Sequence, residues 1–263
     1  MKTPLRVGTV PYLVGRPMDL GLEEEEAIEL RYEVPTRLVE LLRASEIDVA
    51  LVSSIELFRR PEYGYIAEIG VAGRGVVSSV QLFLRKAIEE VRRVALDPSS
   101  RTARTLTRIL LADGPAPSFE EVEGGADPRE APCDAWLRIG DPALRECFGE
   151  GLPHWNPSEQ WTLQTGLPFV FAPWIVRPGV DPAAHLPAFE RAAERGLAAA
   201  PDLARQAARE WDLPEEMCER YLTRECLYRL PAEEMEQALW TFRDRAAALD
   251  LCDGALEPRA IVL

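Results

Sequence analysis

The sequence predicts an α/β protein with parallel strands. Residues 27–57 read as strand, helix, strand, and such a βαβ unit implies parallel strands with the helix packed on the sheet. Residues 88–113 repeat the strand-to-helix pattern. Several apolar runs stop at hydroxyl- or glycine-rich turns, at 53–54, 97–102 and 140–141, and open parallel sheets bind ligands just beyond such strand ends. With 263 residues the chain is longer than one compact core usually needs, which leaves one large domain or two lobes.

Taken in order, "LRVGTV" (5–10) is a short buried strand. The loop "VPYLVGRP" (10–17) follows, then a glutamate run at 23–26 that reads as a solvated face or turn. "AIELRYEV" (27–34) alternates enough for a second strand. In the next helix Thr36 is placed to cap, and Leu38, Leu41 and Leu42 share one face. "IDVALVSSIEL" (47–57) is a buried strand ending in Ser53 and Ser54. Residues 62–86 are strand material broken by glycines. A strand at 91–96 runs through "DPSSRT" into a helix whose Leu106, Ile109 and Leu110 face one way. Residues 114–132 read as a loop with one short strand, 134–144 as an apolar strand ending in a polar turn, and 167–176 as another buried strand. From 181 to 250 the pattern is helical, with Leu197, Leu203, Trp211, Tyr221, Leu227 and Trp240 as expected core residues.

The candidate chemistry lies at the strand ends. "DPSSRT" puts Ser99, Ser100 and Thr102 at a helix start, where free N–H groups and the dipole favour an anion, and Arg101 could add donors. Capping by a single serine would also explain the motif. Ser53 and Ser54 carry the same two readings, and so does Ser79 in "GRGVVSSVQLF" beside Arg74. Tyr12 and Arg16 can reach a ligand from the first loop, and Gly140 with Asp141 closes the third strand end.

Composition excludes several classes. A net charge of −14, with acidic residues spread throughout, argues against nucleic acid or an anionic membrane as a partner, yet allows a small anion in a locally positive pocket. The first apolar segment is too short for an export signal, and no stretch reaches membrane-spanning length. Five scattered cysteines without a C-x-x-C pair fit a reducing compartment, which makes the expected location cytoplasmic. Two histidines, His154 and His185, offer no metal-ligand spacing, and no dinucleotide or P-loop glycine motif is present. The expectation is a bound small anion, with no metal and no cofactor.

Six stretches carry a resemblance: "VPYLVGRP", "EIDVALVSSIEL", "IGVAGRGVVSSVQLF", "RRVALDPSSRTARTLTRILL", "DAWLRIGDPAL" and "TGLPFVFAPW". In this order they resemble the chorismate dehydratases of the futalosine route to menaquinone, relatives of type II periplasmic binding proteins without an export signal. The resemblance implies a two-lobed type II periplasmic-binding-protein-like α/β fold with the ligand cleft between lobes. Lobe I would hold 1–87 with 177–263 and lobe II 88–176, with a hinge near Arg85, Lys86 and Trp174. It implies loss of water from chorismate, giving 3-[(1-carboxyvinyl)oxy]benzoate. Tyr12, Val14, Arg16, Ser53, Ser54, Ser99, Ser100, Arg101, Thr102 and Asp141 would bind the substrate. Ser79 would position the leaving hydroxyl, and the proton would go to water or to the substrate's own side-chain carboxylate. The family usually reads Y-L-N-[AS]-x-P in the first loop, so Val14 stands where an asparagine is expected. Two other readings remain: a non-catalytic binding protein of the same fold, and the related naphthoate-forming lyase of the same route.

Overall fold

The computed structural model describes residues 4–112, 114, 116–123 and 126–263. Positions 113, 115, 124 and 125, which fall in or beside the loop expected at 114–132, lie outside the described residues, as do 1–3. The chain opens with β1 (Leu5–Thr9), a short α1 (Arg16–Asp19), β2 (Ile28–Tyr32), α2 (Pro35–Arg43), β3 (Val49–Leu51) and β4 (Gly64–Gly73). There follow β5 (Val80–Leu84), β6 (Arg93–Leu96), α3 (Arg101–Leu110), β7 (Ser118–Glu121), β8 (Ala135–Ile139), α4 (Gly140–Arg145), β9 (His154–Trp155) and α5 (Pro157–Thr165). The last part holds β10 (Phe169–Val176), α6 (Leu186–Trp211), α7 (Glu215–Arg220), β11 (Cys226–Arg229), α8 (Ala232–Ala247) and β12 (Arg259–Ile261).

These strands form two sheets. The first has the order β11-β4-β10-β3-β1-β2, with β12 also on β4; the second has the order β7-β6-β8-β5-β9. As the βαβ pattern requires, β1 lies between β2 and β3 and is parallel to both. In the second sheet β6 is parallel to β7 and β8. The parallel expectation fails for β10, which is antiparallel to β3 and β4, and for β5, antiparallel to β8 and β9.

Those strands also move the expected boundaries. β5 hydrogen-bonds in the second sheet, although it falls within 1–87; β10 hydrogen-bonds in the first, although it falls within 88–176. The chain therefore crosses between sheets twice, in the loop 74–79 and in the segment between β9 and β10. Apolar continuity in the sequence cannot reveal such a change of sheet, because a strand buried on both faces looks alike in either.

Local chemistry accounts for the other differences. Val34, not Thr36, holds the N-cap position of α2, because Pro35 at the first helical position lacks an N–H and already has helical φ. The strand expected over 47–57 stops at Leu51, and Ser54–Phe58 turn as a 3-10 helix. The glutamate run is not merely solvated: Glu24 and Glu25 pair with Arg195 and Arg191 of α6. Of the six core residues expected near the C-terminus, Tyr221 is fully buried, Leu197 is 39% exposed, and the others are half-buried. Alanines line the inner face of α6 instead, among them Ala192, Ala193, Ala200 and Ala204. With them is Gly196, where an added Cβ would land on the Pro17 carbonyl of α1. The two helices meet backbone to backbone.

Candidate functional site

A cleft opens between the two sheets, with an empty volume of about 610 Å³ that includes the solvent at its mouth. Most of the wall is apolar: Val14, Leu51, Val71, Val80, Ile139 and Phe171. Phe171 stands at a break in the β10–β4 register, between Val170 and Ala172. Such a bulge turns a side chain out of its alternation and is common beside binding sites. Polar groups come from Tyr12, Ser53, Ser79 and Ser100, which the sequence places in four separate segments. Among the described residues none that lines the cleft is charged.

Each serine is presented by a different strand end. Ser53 precedes the 3-10 turn after β3; its side chain makes no capping bond, while its carbonyl accepts from Glu56 N–H at 3.0 Å. Ser79 leads into β5, and its carbonyl accepts from Gly140 N–H at 2.8 Å. Ser100 does cap α3, accepting from Ala103 N–H at 3.2 Å, while still lining the cleft. The anion-binding and capping readings of "DPSSRT" therefore coexist in one side chain. Its position puts the positive end of the α3 dipole at the cleft.

The first loop forms the facing wall. Tyr12 lies over Gly140, where a Cβ would come 3.3 Å from its ring and where φ is +69°, so only glycine suits the position. Burial pushes the Tyr12 phenol above its usual pKa, the carboxylates of Asp97 and Asp141 add to this, and the Ser99 hydroxyl opposes it. Val14 lines the cleft with its isopropyl group.

The remaining expected site residues are engaged elsewhere. Ser54 is fully buried, and its hydroxyl lies 3.4 Å from that of Thr102, which also accepts from Ile55 N–H at 3.2 Å. Ser99 is absent from the lining and donates its N–H to Asp97 Oδ1 at 2.8 Å. Arg101 departs most clearly from expectation: it points to the buried Glu56, at 3.7 Å, whose carboxylate is already held bidentately by Arg43 at 2.6 and 2.7 Å. Arg16 lies in a neighbouring hollow with Asp19, Glu23 and Tyr32, 3.9 Å from Glu210. Asp141 accepts from Leu13 N–H at 3.0 Å, bridging the two sheets. Burial raises its carboxyl to about 6, while the Leu13 N–H, Arg16 and Arg145 hold it from rising further.

Three apolar contributors, Val71, Phe171 and Ala172, belong to β4 and β10 and were not singled out in the sequence. The glycine-broken pattern of 62–86 was the signal for the first, and "TGLPFVFAPW" contains the other two. Trp161 and Trp174 are fully buried core residues rather than lining. Among the described residues no group of three or more His, Cys, Asp or Glu could hold a metal, and no helix is long and apolar enough to cross a membrane.

Comparison with known proteins adds a family. The profile of a family described as menaquinone biosynthesis matches residues 5–248. A chorismate dehydratase of Thermus thermophilus is 31% identical over 237 residues, covering 81% of this chain and 87% of that protein. The crystal structure of an Archaeoglobus fulgidus protein superposes with a TM-score of 0.73 at 20% identity, covering 94% of this chain and 98% of that one. A Candida albicans gene product described as having the generic periplasmic binding protein fold superposes with a TM-score of 0.66 at 11% identity, covering 100% and 98%.

Proposed function

The chain belongs to the menaquinone-biosynthesis family, and from that membership we infer a chorismate dehydratase, a hydro-lyase built on the two-lobed periplasmic-binding-protein fold. The observation that carries the reading is the match to the dehydratase relative across both sheets. The shape of the cleft supports it. Chorismate has a six-membered ring and two carboxylates, and its dehydration gives an aromatic ring. Val14, Leu51, Val71, Val80 and Phe171 offer apolar faces to that ring, while hydroxyls approach from separate edges.

In this mechanism the carboxylates are received by neutral donors. Ser100 with the N-terminus of α3 takes one, and Ser53 with Tyr12 takes the other. Such donors, fixed before the substrate arrives, need little reorganisation. Ser79 positions the ring 4-hydroxyl as it leaves, and the C3 proton goes to water or to the substrate's side-chain carboxylate. Formation of the aromatic ring supplies driving force, so orientation carries much of the catalysis. Arg101 and Arg16 act from outside the cleft. A cytoplasmic location accords with five cysteines that are all free thiols.

Incubation with chorismate tests the reading. The expected outcome is stoichiometric conversion to 3-[(1-carboxyvinyl)oxy]benzoate, followed by chromatography and ultraviolet absorbance. Purified, folded protein that binds chorismate but leaves it unchanged would sink it.

A further inference from the structure

Ser79 ends the crossover loop 74–79, a segment outside helix and strand. Its peptides are held largely by side chains from distant parts of the chain. Gly75 N–H donates to Thr162 Oγ1 at 2.9 Å, Val77 N–H donates to Asn156 Oδ1 at 3.4 Å, and Asn156 Nδ2 donates to the Val77 carbonyl at 3.0 Å. The anchor nearest Ser79 on its N-terminal side is a carboxylate. Ser78 N–H donates to Glu225 Oε2 at 2.8 Å, and Glu225 Oε1 accepts from Arg220 Nε at 2.9 Å.

Glu225 is only 7% exposed. It ends a π-helical turn, Tyr221–Glu225, immediately before β11. Turns of that kind are unusual and cluster at functional sites. Cys226, the next residue, is in register with Gly73 at the end of β4, so one short stretch of the C-terminal part holds both ends of the loop. The same turn buries Tyr221 completely. Burying a carboxylate costs more than burying an amide, and Asn156 demonstrates that an amide can hold the neighbouring peptide. What the carboxylate adds is a shorter, stronger bond that restricts the peptide more tightly.

We propose that Glu225 is a positioning residue for the dehydration, holding the Ser78 peptide so that the Ser79 hydroxyl is aimed into the cleft. The proposal rests on the reading that Ser79 meets the leaving hydroxyl. Displacements of 1 Å in such a group can cost about 100-fold in rate.

The test combines Glu225→Ala and Glu225→Gln with Ser79→Ala. Glu225→Ala is expected to lower kcat for chorismate by about 10- to 100-fold, with a smaller change in KM. Glu225→Gln keeps an acceptor for the Ser78 N–H and should recover most of the loss. In the Ser79→Ala background, Glu225→Ala should cost nothing further, because its effect passes through the missing hydroxyl. Multiplying losses in the double variant would overturn the proposal, since a merely structural carboxylate acts independently of Ser79. Amide hydrogen exchange across residues 74–80 gives a readout without substrate: it should quicken in Glu225→Ala and return in Glu225→Gln. Unchanged exchange overturns the proposal whatever the activity. Failure of the unsubstituted protein to turn chorismate over refutes the dehydratase reading instead.

Discussion

Val14 puts an isopropyl group in the cleft wall where the resembling family carries an asparagine. Four hydroxyl-bearing side chains, those of Tyr12, Ser53, Ser79 and Ser100, share that cleft, and in the proposed mechanism they make the polar contacts that an amide would make. Val14→Asn should therefore change kcat by less than about threefold, and the added amide should lower Tm because part of it leaves water without a fixed partner. Steady-state kinetics and a thermal melt check this, and a tenfold rise in kcat would contradict it. At this scale the sequence was legible where a residue type is tied to a local role. Ser100 is the clearest case, since a serine before a helix both caps and faces the strand ends. Arg101 was illegible from the same motif. One helical step turns a side chain by about 100°, away from the cap, and the partner it finds is Glu56, far away in sequence.

At the scale of elements, periodicity revealed α2 and α3, because each buries one regular face, while most of the parallel strands showed as short apolar runs buried almost throughout. Short strands without alternation, β9, β11 and β12, left no such trace. Their existence depends on free edges of β5 and β4 that only the assembled sheets create. The meeting of α1 with α6 was hidden for a related reason. Alanine and glycine give little hydropathy signal, yet they let helices approach closely. Gly196→Ala should push the Pro17 carbonyl aside and cost about 2 kcal/mol, the usual scale for overpacking. Urea unfolding would measure this; a change below about 0.5 kcal/mol, the scatter of ordinary surface substitutions, would mean the contact yields without strain.

For the molecule as a whole, buried and half-buried carboxyls, among them Asp19, Asp141 and Asp48, set opposing pH limits. Burial raises Asp19 to about 7 and Asp141 to about 6, with Thr9 Oγ1 donating to Asp19 at 2.8 Å. A carboxyl raised in the folded state binds its proton more tightly there than in the unfolded chain. Its stabilising contribution is full below the ordinary 3.8 and is lost as pH rises through 6 to 7. Asp48 behaves oppositely: burial alone would raise it, but bonds from Arg6 and Arg177 outweigh that and hold it at about 2. Its contribution disappears as pH falls from 3.8 toward 2. Tm should therefore fall between pH 5 and pH 8, and Asp19→Asn should remove much of that fall while keeping an acceptor for Thr9. Calorimetry at the two pH values decides it; an equal fall in the variant would place the dependence elsewhere.

The bridges between the sheets, from Leu13 to Asp141 and from Ile55 to Thr102, are made wholly by protein groups. Each ties a turn after a strand of the first sheet to the first turn of a helix on the second, so the sheets part only when both bonds break. These two polar contacts act as stitches across the cleft, and weakening either one widens the range of separations the sheets can explore.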